Sequence, residues 1–239
     1  MSLKTSPLLE NFPHINHAFT TKKSGNLAFH VDDNSKNVLT NHKLLANSLK
    51  YPYKSLIHMK QIHSNIVHIV DNFDTFNTPP TCDALITNKK NTPLMVMVAD
   101  CAPILFYDSA KEVIAVAHSG RAGTFNNIIQ ETVDCFKKNF NTQISDIVVS
   151  VGANICQECY EVGEEIFEEG KNLGFEYAFK KNQKEYYLNI RAILKQELLE
   201  AGILKFEIST ECNSCLRESY FSYRGEGKTG RFAGVIELT

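Results

Sequence analysis

The chain has 239 residues and a mass of 27.0 kDa, with 43% hydrophobic and 22% charged residues, enough to bury a sizeable core and too apolar for a disordered or low-complexity protein. Its 25 Lys and Arg against 27 Asp and Glu give a formal charge of −2, which argues against the broad basic surface of a polynucleotide binder. Neither the first dozen residues nor the longest apolar run, Leu94 to Ala99, has the pattern of a signal peptide or a membrane span, so a cytosolic protein with no membrane partner is expected.

No repeat or Pro-rich linker divides the sequence, and residues 1–239 read as one continuous domain. Ile15 to Thr21 reads as a strand. Asn34 or Ser35 is placed to cap a helix whose apolar face is Val38, Leu39, Leu45, Ala46 and Leu49, and Tyr51-Pro52 ends it. Three β-type runs follow, Ser55 to Ile62, Asn65 to Val70 and Ala84 to Thr87. Pro93 to Ala99, Pro103 to Tyr107 and Val113 to Ala117 are nearly continuous aliphatic runs, the pattern of strands covered on both faces.

Thr124 is the predicted cap of a helix to about Asn139, with Lys137-Lys138 near its negative end. Ile147 to Val151 reads as a buried strand, Glu164 to Asn172 as a short acidic helix, and Asn189 to Ala201 as a helix closed by Gly202. Phe206 to Ser209 and Arg231 to Leu238 complete the strands. Without a regular βαβ alternation, the fold class expected is α+β, with mixed β-sheets in a sandwich-like core flanked by helices.

Seven cysteines in a chain without an export pattern point to metal or redox chemistry rather than a disulfide framework. Gln61-Ile62-His63-Ser64, Asp100-Cys101-Ala102 and Ala117-His118-Ser119-Gly120 each put a metal-ligand type at a strand edge. If His63, Cys101 and His118 converge, they supply three ligands and leave a fourth position open, which is the arrangement of a catalytic site. A thiolate and two imidazoles suit Zn²⁺, and copper would also bind such a set.

Six blocks carry a resemblance over nearly the whole chain: Lys60-Gln61-Ile62-His63, Cys82-Asp83-Ala84-Leu85-Ile86-Thr87, Ala99-Asp100-Cys101-Ala102-Pro103, Ala117-His118-Ser119-Gly120, Cys159-Tyr160-Glu161-Val162-Gly163 and Phe221-Ser222-Tyr223-Arg224. In order and spacing they resemble the YfiH-like family, also catalogued as multicopper polyphenol oxidase or laccase domain proteins and as bacterial purine nucleoside phosphorylases. The resemblance implies a cytosolic α+β enzyme with one catalytic zinc on His63, Cys101 and His118. It implies phosphorolysis of adenosine, inosine, guanosine and S-methyl-5′-thioadenosine, with adenosine deamination as a second reaction. Two departures stand out. The family's H-A-G-W-R-G is here His118-Ser119-Gly120-Arg121-Ala122-Gly123, and its glycine-rich N-terminal loop is shortened to Thr20-Thr21-Lys22-Lys23-Ser24-Gly25-Asn26-Leu27.

Gly120 and Gly123, between a strand and the helix expected from Thr124, form a candidate phosphate loop or simply a tight turn. Arg121, Arg224, Arg231 and Asn26 are candidate contacts for anionic or ribose groups; ion pairing to Asp83 or Asp100 is the alternative for Arg224 and Arg231. Cys156-x-x-Cys159 and Cys212-x-x-Cys215 have the spacing of a four-cysteine zinc site, but Cys159 and Cys212 occupy positions where the resembling family often has Cys, so reduced thiols are the preferred reading.

Other functional classes compete. Cys101 and His118 alone would serve a metal-independent cysteine hydrolase. An oxidoreductase, of laccase type or acting in peptidoglycan-precursor editing as attached to relatives, is the other reading, although the sequence has none of the H-x-H pairs common in multicopper sites. His58 and His68 lie at odd spacing from His63 and would face away from it on an extended strand.

Overall fold

A computed structural model describes residues 2–239, and the alternation of side chains along its central strands determines how the layers stack. In chain order the elements begin with β1 (Leu3–Lys4), β2 (Ile15–Thr20), α1 (Ser35–Leu49), β3 (Val67–Ile69), β4 (Ala84–Thr87), β5 (Leu94–Val98), β6 (Ala102–Asp108) and β7 (Val113–Ser119). Then come α2 (Arg121–Phe125), α3 (Ile128–Phe140), β8 (Ile147–Val151), β9 (Glu161–Val162), α4 (Glu164–Asn172), β10 (Phe179–Asn182), β11 (Glu185–Leu188), α5 (Ile190–Glu200), β12 (Lys205–Ile208), α6 (Tyr223–Glu226) and β13 (Phe232–Leu238).

A six-stranded sheet runs in the order β12-β8-β6-β7-β4-β3, a four-stranded sheet in the order β1-β2-β13-β5, and a small three-stranded sheet in the order β10-β11-β9. On β6, Ala102, Ile104 and Phe106 face one side with Ile129, Val133 and Phe136 of α3 and Ile193 and Leu194 of α5. Leu105 and Tyr107 face the other side, against Leu94, Val96, Val98, Phe19 and Phe232 of the four-stranded sheet. The alternate residues Met95, Met97, Ala233 and Val235 pack outward beneath Leu45, Ala46 and Leu49 of α1. The result is four layers, helix, sheet, sheet and helix, which is the expected α+β class with mixed sheets in a sandwich-like core. Burying each such aliphatic side chain contributes roughly 1.5–3 kcal/mol. Among the described residues no helix is long and apolar enough to cross a membrane.

Local signals account for most boundaries. The Asn34 side chain accepts from the Lys36 N–H and caps α1, while Lys50 closes it in the left-handed conformation. Asn189 accepts from the Ala192 N–H at the start of α5. The helix expected from Thr124 is instead two helices. Gly120 caps α2, Thr124 lies inside it with its hydroxyl on the Gly120 carbonyl at 2.9 Å, and left-handed Asn127 restarts the chain as the cap of α3. Ser55 to Ile62 is not a strand but an extended segment bridging only Ile57 to Leu94 and Lys60 to Thr81.

Candidate functional site

Sheet register brings the predicted ligands together. β6 pairs with β7 so that Ala102 opposes Ser119, which sets Cys101, one residue ahead of β6, beside the end of β7 where His118 lies. β4 pairs with β7 so that Ala84 opposes Ala117, which sets Asp83 next to His118. The His118 N–H bonds the Asp83 carbonyl at 2.7 Å, and His118 Nδ1 meets the Asp83 carboxylate at 2.8 Å.

His63 arrives on a loop wound around that same carboxylate. Asp83 accepts backbone N–H groups from Ile62 at 3.1 Å, His63 at 3.0 Å and Ser64 at 2.7 Å, and the Ser64 hydroxyl at 2.7 Å. These bonds offset the left-handed backbone of His63, φ 60°, which costs a non-glycine residue of order 1–3 kcal/mol. Burial pushes the Asp83 carboxyl up, but its bonds to His118 and Ser64 prevail and hold it down at about 2. Asp83 is therefore an acceptor that orients His118 through Nδ1, and Nε2 is the atom that would coordinate once it gives up its proton. The Gln61 amide adds a second tether, donating to the Met97 carbonyl at 2.7 Å and accepting the Met97 N–H at 3.0 Å.

One donor atom from each of His63, Cys101 and His118 lies within 4.8 Å of the others, with Cys101 Sγ 3.9 Å from His63 Nε2. A tetrahedral zinc with Zn–N near 2.0 Å and Zn–S near 2.3 Å needs separations of roughly 3.3–3.5 Å between two nitrogens and one sulfur, so the set fits after contracting from its present spacing. Burial would raise the Cys101 thiol, but His118 and His63 outweigh it and bring it down to about 6, while the sulfur and Asp83 overcome burial at His118 and lift it to about 9. The sulfur is thus a thiolate at neutral pH, the form a metal binds. Gly120 is required by close approach: a Cβ there would lie 2.9 Å from Cys101 Sγ and 2.9 Å from His63 Cδ2. Asp100, φ 92°, is pinned by the Ser222 hydroxyl and the Arg224 N–H, each at 2.6 Å, which fixes the approach of Cys101.

The three donors line a cavity of about 400 Å³ whose wall also includes Tyr160, Tyr223, Arg121, Arg224 and Arg231. Among the described residues neither Arg224 nor Arg231 is ion-paired to Asp83 or Asp100. Arg231 spends only Nη1, on the carbonyls of Thr229 and Gly230. Arg224 lies over the Tyr160 ring and donates to the Glu161 carbonyl. Arg121 also lines the cavity, but its Nη1 is 2.6 Å from Glu169. Asn26 stands outside the cavity, bonding Asp33, Ala28 and the Arg231 N–H, so it positions Arg231 through the backbone. Gly123 is buried against the carbonyls of Ser64 and His118.

His58 is buried beside Phe76 and His42, and His68 pairs with Asp74 at 2.7 Å, so neither joins the donor set. Sequence reasoning missed Asp83 as the anchor of His118 and the His63 loop, as well as His30 in the cavity wall. An acidic residue directly before the apolar run Ala84-Leu85-Ile86 was the available signal for Asp83.

Residues 16–239 match the family described as multi-copper polyphenol oxidoreductase laccase. A purine nucleoside phosphorylase of Clostridium acetobutylicum is 35% identical over 185 residues, 77% of each chain. One of Corynebacterium glutamicum is 32% identical over 234 residues, 94% of each. The crystal structure of the Bacillus licheniformis hypothetical protein YfiH superposes with a TM-score of 0.92 at 30% identity over 99% of both chains. With the family match running over residues 16–239, the chain belongs to the YfiH-like, multi-copper polyphenol oxidoreductase laccase family.

Proposed function

We propose that this chain is a cytoplasmic, zinc-dependent purine nucleoside phosphorylase, with residues 1–239 acting as one catalytic unit. Its substrates in this reading are adenosine, inosine, guanosine and S-methyl-5′-thioadenosine, with adenosine deamination as a second reaction. The observation that carries it is the opening of the His63, Cys101 and His118 donor set into a cavity that also holds arginines and aromatic rings. The names of the relatives support the same reaction class.

Phosphorolysis needs phosphate aligned with the sugar C1′ and a leaving base that accepts the electron pair of the N-glycosidic bond. Arg231, with Nε and Nη2 without a protein acceptor among the described residues, binds phosphate and offsets its charge. Tyr160 and Tyr223 offer flat surfaces for the purine. Asp83 holds the His118 proton on Nδ1 and keeps His63 in place. A zinc ion bound by His63, Cys101 and His118 would supply Lewis-acid polarisation of a substrate or water oxygen.

The test is incubation with adenosine or S-methyl-5′-thioadenosine, with and without phosphate, followed by mass identification of the products. Phosphate-dependent free base and pentose 1-phosphate support phosphorolysis, and inosine formed without phosphate supports deamination. A second reading is favoured by the alignment of Cys101, His118 and Asp83, which is also that of a cysteine hydrolase. Full hydrolase activity in metal-free protein would select it.

A further inference from the structure

Two short turns far apart in sequence meet away from the His63 centre. One is the turn Gln157–Cys159, flanked by Cys156; the other runs from Cys212 to Cys215 and is closed by the Leu216 N–H on the Cys212 carbonyl at 2.9 Å. The sulfur atoms of Cys156, Cys159, Cys212 and Cys215 all lie within 4.8 Å of one another. Cys159 Sγ is 3.4 Å and Cys156 Sγ 3.9 Å from Cys215 Sγ. We infer that these four cysteines form a second metal site, a structural zinc held by four thiolates and separate from the His63 centre.

The geometry suits that ion. Four sulfurs at about 2.3 Å from a tetrahedral zinc stand about 3.8 Å apart, the range these atoms already occupy. Cys212 Sγ accepts the backbone N–H of Cys156 at 3.3 Å and of Cys215 at 3.4 Å, and N–H groups aimed at a sulfur stabilise a thiolate ligand. Four protein ligands leave no open position, which makes the site structural rather than catalytic. The scaffold beneath is built to hold both turns. Arg191 donates to the carbonyls of Asn154 and Glu211, each at 2.7 Å, and to the Thr210 carbonyl at 3.0 Å, tying the two segments just ahead of their cysteines.

The consequence reaches the cavity. Ile155 and Tyr160 lie next to the first cysteine pair, and Tyr223 and Arg224 follow the second, and all four line the cavity wall. The ion would brace that wall by cross-linking segments 56 residues apart in sequence.

Metal content of the full chain purified under reducing conditions tests this without reference to activity. Two zinc ions per chain are expected in the wild type, one in Cys215→Ser and one in Cys101→Ala. Cobalt-substituted Cys101→Ala protein should show intense sulfur-to-cobalt charge-transfer and tetrahedral bands, absent when Cys215→Ser is added. Should Cys215→Ser fail to fold, alkylation of the wild type decides: the exposed Cys215 should be labelled only after chelation. A zinc content that Cys215→Ser leaves at the wild-type value, rapid alkylation of Cys215 in metal-replete protein, or a mass lower by about 2 Da for each disulfide among these four cysteines would overturn the proposal.

Discussion

His118 Nδ1 lies 2.8 Å from the Asp83 carboxylate, and the same carboxylate collects the N–H groups of Ile62, His63 and Ser64. One buried charge thus orients one imidazole and shapes the loop that delivers the other. Asp83→Asn keeps the shape but removes the charge. Its metal affinity at the His63 centre should fall about 10–100-fold, the usual cost of losing such a supporting carboxylate. Competition with a chromophoric chelator measures it, and wild-type affinity in a folded Asp83→Asn protein would show that the carboxylate does not support the centre.

Gly120→Ala tests close approach. The added Cβ meets Cys101 Sγ and His63 Cδ2 at 2.9 Å, and both belong to the donor set rather than to pliable surface side chains. The variant should fold and lose metal at this centre. Retention of full occupancy would mean that the donors stand further apart than described.

Deleting His63 and deleting His118 should differ in stability although each abolishes binding. His63 is exposed, so His63→Ala should cost less than about 1 kcal/mol. His118 is 3% exposed inside β7 and neutralises a fully buried Asp83, so His118→Ala should cost about 3–5 kcal/mol. His118 lies near the end of β7, as its position in the sequence predicts, but it is buried there. Urea titration of the metal-free variants checks the ranking.

Glu197 on α5 provides a pH signature apart from the site. Both carboxylate oxygens are buried without a partner among the described residues, and burial, assisted by Glu200, raises the group from 4.5 to about 8. Below about 4.5 it is protonated folded and unfolded alike; between there and about 8 only the unfolded chain releases the proton. Its contribution to stability is therefore fully present below that window, falls as pH rises through it, and levels off above about 8. Glu197→Gln should flatten this part of the curve in urea titrations at pH 5.5, 7 and 8.5, relative to wild type. An unchanged slope would contradict it.

Much of this was legible in the sequence because it is local. Ala84–Thr87, Ile147–Val151 and Glu164–Asn172 match their expected spans, and Asn34 and Asn189 act as caps through their own side chains. What was not legible depends on partners distant in the chain. Ser55 to Ile62 has strand composition, yet its backbone pairing is confined to isolated bridges, and side chains such as Gln61 and Asp83 hold the rest. The β10–β11 hairpin was missed because Phe179–Asn182 is Lys-rich and exposed and turns at left-handed Gln183. The spacing of the two C-x-x-C pairs was visible, but their convergence depends on β8 and β12 pairing in parallel just ahead of the two turns.

Metal-free and zinc-reconstituted protein can be compared in forming ribose 1-phosphate from adenosine and phosphate, with Cys101→Ala beside them. Product is expected from the reconstituted wild type alone, in proportion to occupancy of the His63 centre. Equal turnover by metal-free protein, or by a folded Cys101→Ala variant, would contradict it.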